Sequence, residues 1–290
     1  MGKRTGIMLA TKFEDRFITD WKGLFVQPKI NGLRCRAVCN KDGVILYSSE
    51  GNVINSVPHI NSIFDKSIKE AFGGGEVFDG ELYIPGYRTT QRLFSIVNRK
   101  GVHPDHEEVQ YHIFDLIVSQ TVQYHRIVAL GYLHNVLLHY DREACRKSIK
   151  LVDTYLLSLE KYHKDRKIIL SSMCRLGYEG IILRNIDGLY EEKRSRNLLK
   201  IKPTLKGMFT IMDVTEAINI EGIPKDMLGA FICSDPEGNT FKVGTGFTEE
   251  ERIKYWNDKN DYIGLYAIVK YAYITDRGVP YHPVFVRLVK

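Results

Sequence analysis

Hydrophobic and polar positions alternate most clearly near the start of the chain. An apolar run, Leu24-Phe25-Val26, and an alternating segment, Cys35 to Val38, bracket the hexapeptide Lys29-Ile30-Asn31-Gly32-Leu33-Arg34. With the Lys41-Asp42-Gly43 turn, the pattern over 24–50 predicts a strand, a lysine at its rim, a second strand and a hairpin. Residues 6–21 mix apolar and charged positions and read as a short helix with a lead-in. His59 to Phe72 has helical spacing and stops at Gly73-Gly74-Gly75. Val77 to Ile84 is a strand that carries Asp79 and Glu81 across a glycine. Residues 89–99 are helical, 104–108 are loop, and Tyr111 to Val118 is an apolar strand interrupted by Asp115. Amphipathic helices are expected over His125–Arg146 and Ser158–Leu176, with a strand over Ile149–Leu157 between them. Glu179-Gly180 opens a buried strand to Arg184, and the basic segment Lys193 to Arg196 precedes Leu198 to Pro203. Lys200 and Lys202 share one face there, being two apart on a strand.

Pro203 ends that strand and places a domain boundary at about 204. Beyond it the texture changes to short strands with tight turns: Phe209–Ala217, Gly229–Ser234, Thr240–Val243, Tyr266–Ile274 and Val284–Val289, with a helix at Glu249–Trp256. Five such strands fit a small barrel of the OB type. The Gly-x-Gly at 244–246 lacks the third glycine and the crossover unit of a dinucleotide fingerprint.

An apolar fraction of 44% with 26% charged residues is that of an ordinary globular chain, and 290 residues suffice for two cores. No apolar run approaches the roughly 20 residues of a membrane span, and Met1-Gly2-Lys3-Arg4 lacks a signal-peptide core, so a cytoplasmic location is expected. The cysteines at 35, 39, 145, 174 and 233 form no Cys-x-x-Cys pair, which argues against a zinc ribbon or a disulfide framework. His103 and His106, and His134 and His139, come nearest to metal spacings, but the first pair flanks Pro104-Asp105 in a loop and the second, five apart, points to different helix faces, so both read as structural or surface histidines. Charge is uneven. Residues 205–290 hold 10 Lys+Arg against 12 Asp+Glu, which leaves 31 against 23 of the 41 and 35 totals for residues 1–204. A phosphate-bearing partner would therefore be gripped mainly by the first part.

A lysine beside Asn-Gly is ordinarily a solvated turn residue. The later elements change its meaning, because their order resembles the ATP-dependent DNA ligases of the covalent nucleotidyltransferase superfamily over essentially the whole chain. Lys29 to Arg34 matches the nucleophile motif Lys-x-Asp-Gly-x-Arg. Asp79-Gly80-Glu81, Phe114-Asp115, Glu179-Gly180 and Lys200-Ile201-Lys202 match the motifs that follow it. The fold implied is α+β: an ATP-grasp-like adenylyltransferase domain of antiparallel sheets with flanking helices over 1–204, then a C-terminal OB-fold β-barrel over 205–290.

The chemistry of such a site explains its residue types. A lysine that attacks the α-phosphate of ATP must be neutral, yet its ordinary pKa of about 10.4 leaves little free amine at neutral pH. Arg34, Lys200, Lys202 and a divalent metal would each disfavour the ammonium and also oppose charge on the transferring phosphoryl group. The resemblance implies Lys29 as the nucleophile, and Glu179 with Glu81 as ligands of Mg²⁺, for which Mn²⁺ could substitute. It also places Glu81 on the ribose, Phe114 stacked on adenine, Gln27 at the adenine edge through its backbone, and Arg287 on the pyrophosphate.

The tail segments Phe241 to Phe247, Tyr262-Ile263-Gly264 and Pro283 to Arg287 look like a DNA-ligase OB domain, unlike a capping guanylyltransferase or an RNA ligase. The missing cysteine tetrad disfavours an NAD-dependent ligase. The expectation is a minimal ligase of the viral, phage or bacterial kind, a monomer acting on nicked double-stranded DNA. The enzymatic alternatives are an RNA ligase or a capping-type transferase. A non-catalytic nucleic-acid-binding protein of this fold is the other.

Three departures qualify the match. Asn31 stands where the family has aspartate, so a charge is lost. Ser49 replaces an arginine, leaving Arg36 or Arg88 to compensate. The last motif keeps Arg287 but loses its flanking arginines, so that Arg287 and Lys290 would act alone. Only 28 residues precede the lysine, too few for the large DNA-binding domain of replicative ligases. The interval from Ala217 to Leu228 reads as a short loop with Glu221, Lys225 and Asp226, too short for an encircling latch.

Overall fold

The apolar run at 24–26 becomes part of a buried inner strand of a mixed sheet, and the alternating segment after the lysine becomes a strand of a second one. The computed structural model describes residues 4–67, 74–86, 90–275 and 277–289. The chain folds as two units, Met1–Lys202 and Pro203–Lys290. The end of the expected helix over 59–72, Gly73, Arg88 and Lys290 lie outside the described residues.

In the first unit, the strands are β1 (Leu9–Lys12), β2 (Leu24–Lys29), β3 (Leu33–Asn40), β4 (Gly43–Ser48), β5 (Val77–Tyr83), β6 (Gln110–Leu116), β7 (Ile149–Leu151), β8 (Tyr155–Leu157), β9 (Gly180–Asn185) and β10 (Arg194–Ile201). Its helices are α1 (Pro58–Ser67), α2 (Gln91–Val97), α3 (Gln123–Tyr140), α4 (Arg142–Ser148) and α5 (Leu159–Arg175). One sheet runs β1-β10-β9-β2-β8 and the other β4-β3-β5-β6-β7. The first packs with Tyr162 of α5 around Leu24, Val26, Ile181, Leu183 and Leu199. The second packs under α1 to α4 around Ala37, Leu46, Phe64, Phe78, Tyr111 and Leu130.

Four expectations for the first unit are corrected. Residues 9–12 form a strand rather than a helix, because Leu9 to Lys12 pair with β10, and only Asp15–Phe17 make a helical turn, of the 3-10 kind. That pairing is parallel, as is β6 with β7, so the sheets are mixed rather than antiparallel. The helix over 125–146 breaks at Asp141, whose Oδ1 accepts from Ala144 N at 3.1 Å and starts α4. The strand over 149–157 is two strands in different sheets, turned at Val152–Thr154, where Val152 N donates to Ile113 O at 2.9 Å.

The second unit has β11 (Leu205–Ile218), β12 (Pro224–Ser234), β13 (Thr240–Val243), α6 (Glu249–Asn257), β14 (Tyr266–Tyr271) and β15 (Val284–Val289), in the antiparallel order β13-β12-β11-β14-β15. It is an OB-like open sheet, not a closed barrel. Near its edges, beyond the end of β13, Phe285 N donates to Thr245 O at 2.8 Å. Thr248 and Glu251 form a capping box that starts α6. The interval 217–228 is also no simple loop: β11 and β12 run through it as a hairpin whose turn, Asn219–Ile223, is closed by Asn219 N donating to Ile223 O at 2.9 Å. Among the described residues, no helix is long and apolar enough to cross a membrane.

Candidate active site

Lys29 ends β2 opposite Gly180 of β9, and Glu179 N donates to Lys29 O at 2.9 Å. This antiparallel pairing brings residues 150 apart in sequence onto one rim. The glycines are required for the approach. A Cβ on Gly180 would lie 2.1 Å from Ile201 O, and one on Gly32 would lie 2.1 Å from Leu82 O. The two glycines thus let β10 close on β9 and the lysine loop close on β5.

The Lys29 and Lys202 ammonium groups each donate to a different oxygen of Glu179. Burial alone would raise the Glu179 carboxyl, but the two lysines outweigh it and hold it below the usual carboxylate range. Lys200, on β10, is lowered by burial and then by the cations Arg194, Lys202 and Lys29. A three-lysine rim around one carboxylate suits a ligand that brings its own negative charge.

The facing sheet supplies the rest. Arg34, on β3, grips Asp79 of β5 with Nε at 2.6 Å and Nη2 at 2.5 Å. Burial opposes the guanidinium charge, but the Asp79 carboxylate reverses this and holds the Arg34 pKa above its ordinary value. Glu81, two residues on, is pushed up to about 7 by burial, against the pull of Arg34 and Lys29 and with the help of Asp79 and Glu179. The Phe114 ring lies 4.7 Å from the Arg34 guanidinium and 5.2 Å from that of Arg184.

Behind Phe114 is a buried polar network. Asp115 accepts from Arg126 Nε at 2.9 Å and Arg184 Nη1 at 2.6 Å. Gln27 Oε1 accepts from Arg184 Nε at 2.6 Å, while Gln27 Nε2 donates to Phe114 O at 3.1 Å and Thr154 Oγ1 at 2.9 Å. The Gln27 amide is fully engaged inside the protein, which leaves only its backbone to meet a ligand.

These elements line one cavity of about 470 Å³. Eight of the nine residues singled out from sequence reach it: Gln27, Lys29, Arg34, Glu81, Phe114, Glu179, Lys200 and Lys202, together with Asn31 and Ser49. The ninth, Arg287, is on β15 of the second unit, where its Nη1 donates to Leu288 O at 3.3 Å. Ile182, Arg184, Arg194 and Leu198 also line the cavity and were not singled out. Their signal was present, since 194, 198, 200 and 202, like 182 and 184, share the period of one strand face.

Among the described residues, no group of three or more His, Cys, Asp or Glu is arranged to hold a metal ion. Glu179 and Glu81 nonetheless fit Mg²⁺. Both are hard oxygen donors in one cavity, the charge of one raises the pKa of the other, and Mg²⁺ usually takes only one or two carboxylates besides substrate phosphates.

A lysine rim, a buried arginine and an aromatic face thus surround one cavity, and its lining from Ile7 to Lys202 falls within a segment that sequence comparison matches to a known family. Residues 7–202 match the ATP dependent DNA ligase domain and residues 221–288 the DNA ligase OB-like domain. The chain belongs to the ATP-dependent DNA ligase family. A DNA ligase of African swine fever virus is 28% identical over 233 residues, 75% of this chain and 50% of that protein. The DNA ligase of Thermococcus onnurineus is 26% identical over 242 residues, 78% of this chain and 41% of that one. The chain thus spans half or less of the length of these relatives. A solved Lig E DNA ligase, described as binding DNA with a minimal scaffold, has the same fold, with a TM-score of 0.73, 23% identity, and 98% and 99% of the two chains covered.

Proposed function

We propose that this chain seals nicks in duplex DNA at the expense of ATP, with Lys29 as the nucleophile. The observation that carries this reading is the meeting of Lys29, Lys202 and Glu179 at the mouth of a cavity that also holds Arg34, Glu81 and Phe114. In the first step, the Lys29 amine attacks the α-phosphorus of ATP. A P–N bond forms, the P–O bond to pyrophosphate breaks, and the amine gives up its proton. The AMP then passes to the 5′-phosphate at the nick, and the adjacent 3′-hydroxyl displaces AMP to close the strand.

The chain's own residues account for much of this. Phe114 offers adenine an aromatic face, with Gln27 contributing through its backbone. Glu81 meets the ribose. Lys200, Lys202 and Arg34 oppose charge on the transferring phosphoryl group. Bound Mg²⁺, held by Glu179 and Glu81, would supply electrophilic charge at the phosphates. Arg287 serves the pyrophosphate. Asn31 lines the cavity with an amide where the family has a carboxylate, so that position adds no negative charge to the rim.

The test is a covalent adduct. Incubation with Mg²⁺ and labelled ATP, GTP or NAD should give an acid-stable, hydroxylamine-labile adduct from ATP alone, lost in Lys29→Ala. A GTP adduct would point to a capping-type transferase. No adduct from any nucleotide would leave a nucleic-acid-binding protein. Sealing assays on nicked DNA, RNA and hybrid duplexes then fix the polynucleotide and separate a DNA ligase from an RNA ligase.

A further inference from the structure

Tyr190 lies in the loop between β9 and β10, in none of the motifs that carry the family resemblance. Its hydroxyl donates to Asp79 Oδ2 at 2.6 Å and accepts from Met8 N at 3.0 Å. Asp79 is fully buried, and the same Oδ2 accepts from Arg34 Nη2, which also donates to Met8 O at 3.2 Å. One hydroxyl therefore closes a ring of four residues: Tyr190, Asp79, Arg34 and Met8. Asp79 and Arg34 belong to one sheet, while Met8 and Tyr190 flank the other. Arg34 lines the cavity, as do Ile7 and Leu9 on either side of Met8, so the ring lies beside it. The Tyr190 ring also lies 5.5 Å from the guanidinium of Arg126, a member of the network behind Phe114.

We propose that Tyr190 is a positioning residue for nucleotidyl transfer, holding Asp79 as the fixed fork that aims Arg34 into the cavity. The inference rests on the proposed activity and adds to it a group that is not among the residues lining the cavity. Two features favour a specific role over simple packing. The hydroxyl both donates and accepts, so a ring without it leaves Met8 N and one Asp79 lone pair unsatisfied in a buried place. Burial, with Asp79 adding to it, also raises the phenol's pKa, which keeps the donated proton on the oxygen.

The test compares Tyr190→Phe, Asp79→Asn and the double variant, each first shown to be folded by thermal melting. The rate of lysyl-AMP formation at saturating ATP should fall about ten-fold in Tyr190→Phe. The double variant should be little slower than Asp79→Asn alone, because the phenol acts through that carboxylate. Full additivity, or a wild-type rate in folded Tyr190→Phe, overturns the proposal.

A second measurement needs no activity. The Arg34 Nε–H, followed by ¹⁵N NMR, should exchange with solvent at least about ten-fold faster in Tyr190→Phe than in the wild type. Unchanged exchange would overturn the positioning role even if wild-type protein forms the adduct. Faster exchange in a protein that forms no adduct would uphold the ring while refuting the activity.

Discussion

In the first unit Asp115 lies fully buried between Arg126 at 2.9 Å and Arg184 at 2.6 Å. The core of the second unit is closed instead by Phe231, Phe247, Tyr255 and Phe285, whose ring centroids stand 4.5 to 6.0 Å apart. The two interiors are built for different ends. Rings supply apolar burial and tolerate small shifts in one another's position. Buried ion pairs add little net stability, because desolvation offsets most of their attraction, but they allow few alternative geometries. The first unit uses them where a cavity must be held to shape, behind Phe114 and beside Arg34.

Substitutions on the two sides should separate these ends. The largest effect is expected from Lys29→Ala, the proposed nucleophile, which should lower adduct formation by about 10⁴-fold or more with little change in melting temperature. Next come two substitutions of similar cost and different consequence. Asp115→Ala strands two buried guanidinium groups and should cost about 3–5 kcal/mol while also weakening ATP binding. Phe231→Ala should cost about 3–5 kcal/mol through the cavity it leaves, yet spare ATP binding by the first unit. Denaturant unfolding paired with calorimetric ATP titration reads both. Equal damage to ATP binding by the two variants would erase the distinction.

Glu81 gives a smaller effect with a definite sign. Its carboxyl is raised by burial from 4.5 to about 7, so folding takes up a proton between those values. The associated stability is complete below about pH 4.5 and is lost as pH rises through about 7. Glu81→Gln should flatten this part of the profile and melt higher relative to wild type at about pH 8 than at about pH 5. A parallel displacement of the two curves would refute the assignment. The smallest effect is expected at the exposed tip of the β11–β12 hairpin, where Ile220→Ser should change stability by no more than about 0.5 kcal/mol.

The residues that line the first unit's cavity were legible in the sequence, because each motif places its members within six positions and strand periodicity assigns their faces. Lys200 and Lys202 are the clearest case: their spacing alone put them on one face, and both line the cavity. Bonds between distant motifs were not legible. Arg34 and Asp79 are separated by 45 residues, and Asp79 and Tyr190 by 111. No local period announces such contacts. Strand partners were hidden for the same reason. β1 is four residues long and takes its form from pairing with β10, so its composition could not distinguish it from a helical turn. The split between β7 and β8 depends on which sheet each half joins. The hairpin at 217–228 has the composition of a loop, yet strand pairing continues into it on both sides of the Asn219–Ile223 turn, which fixes the register.

The close approach at Gly180 has a consequence for how such a protein can vary. With only 2.1 Å between a notional Cβ there and Ile201 O, any side chain at 180 would drive β10 outward and carry Lys200 and Lys202 with it. The glycine acts as a gauge that sets the reach of the two lysine side chains from the backbone beside them. A change at 180 would have to be inherited together with a rebuilt 200–202 segment.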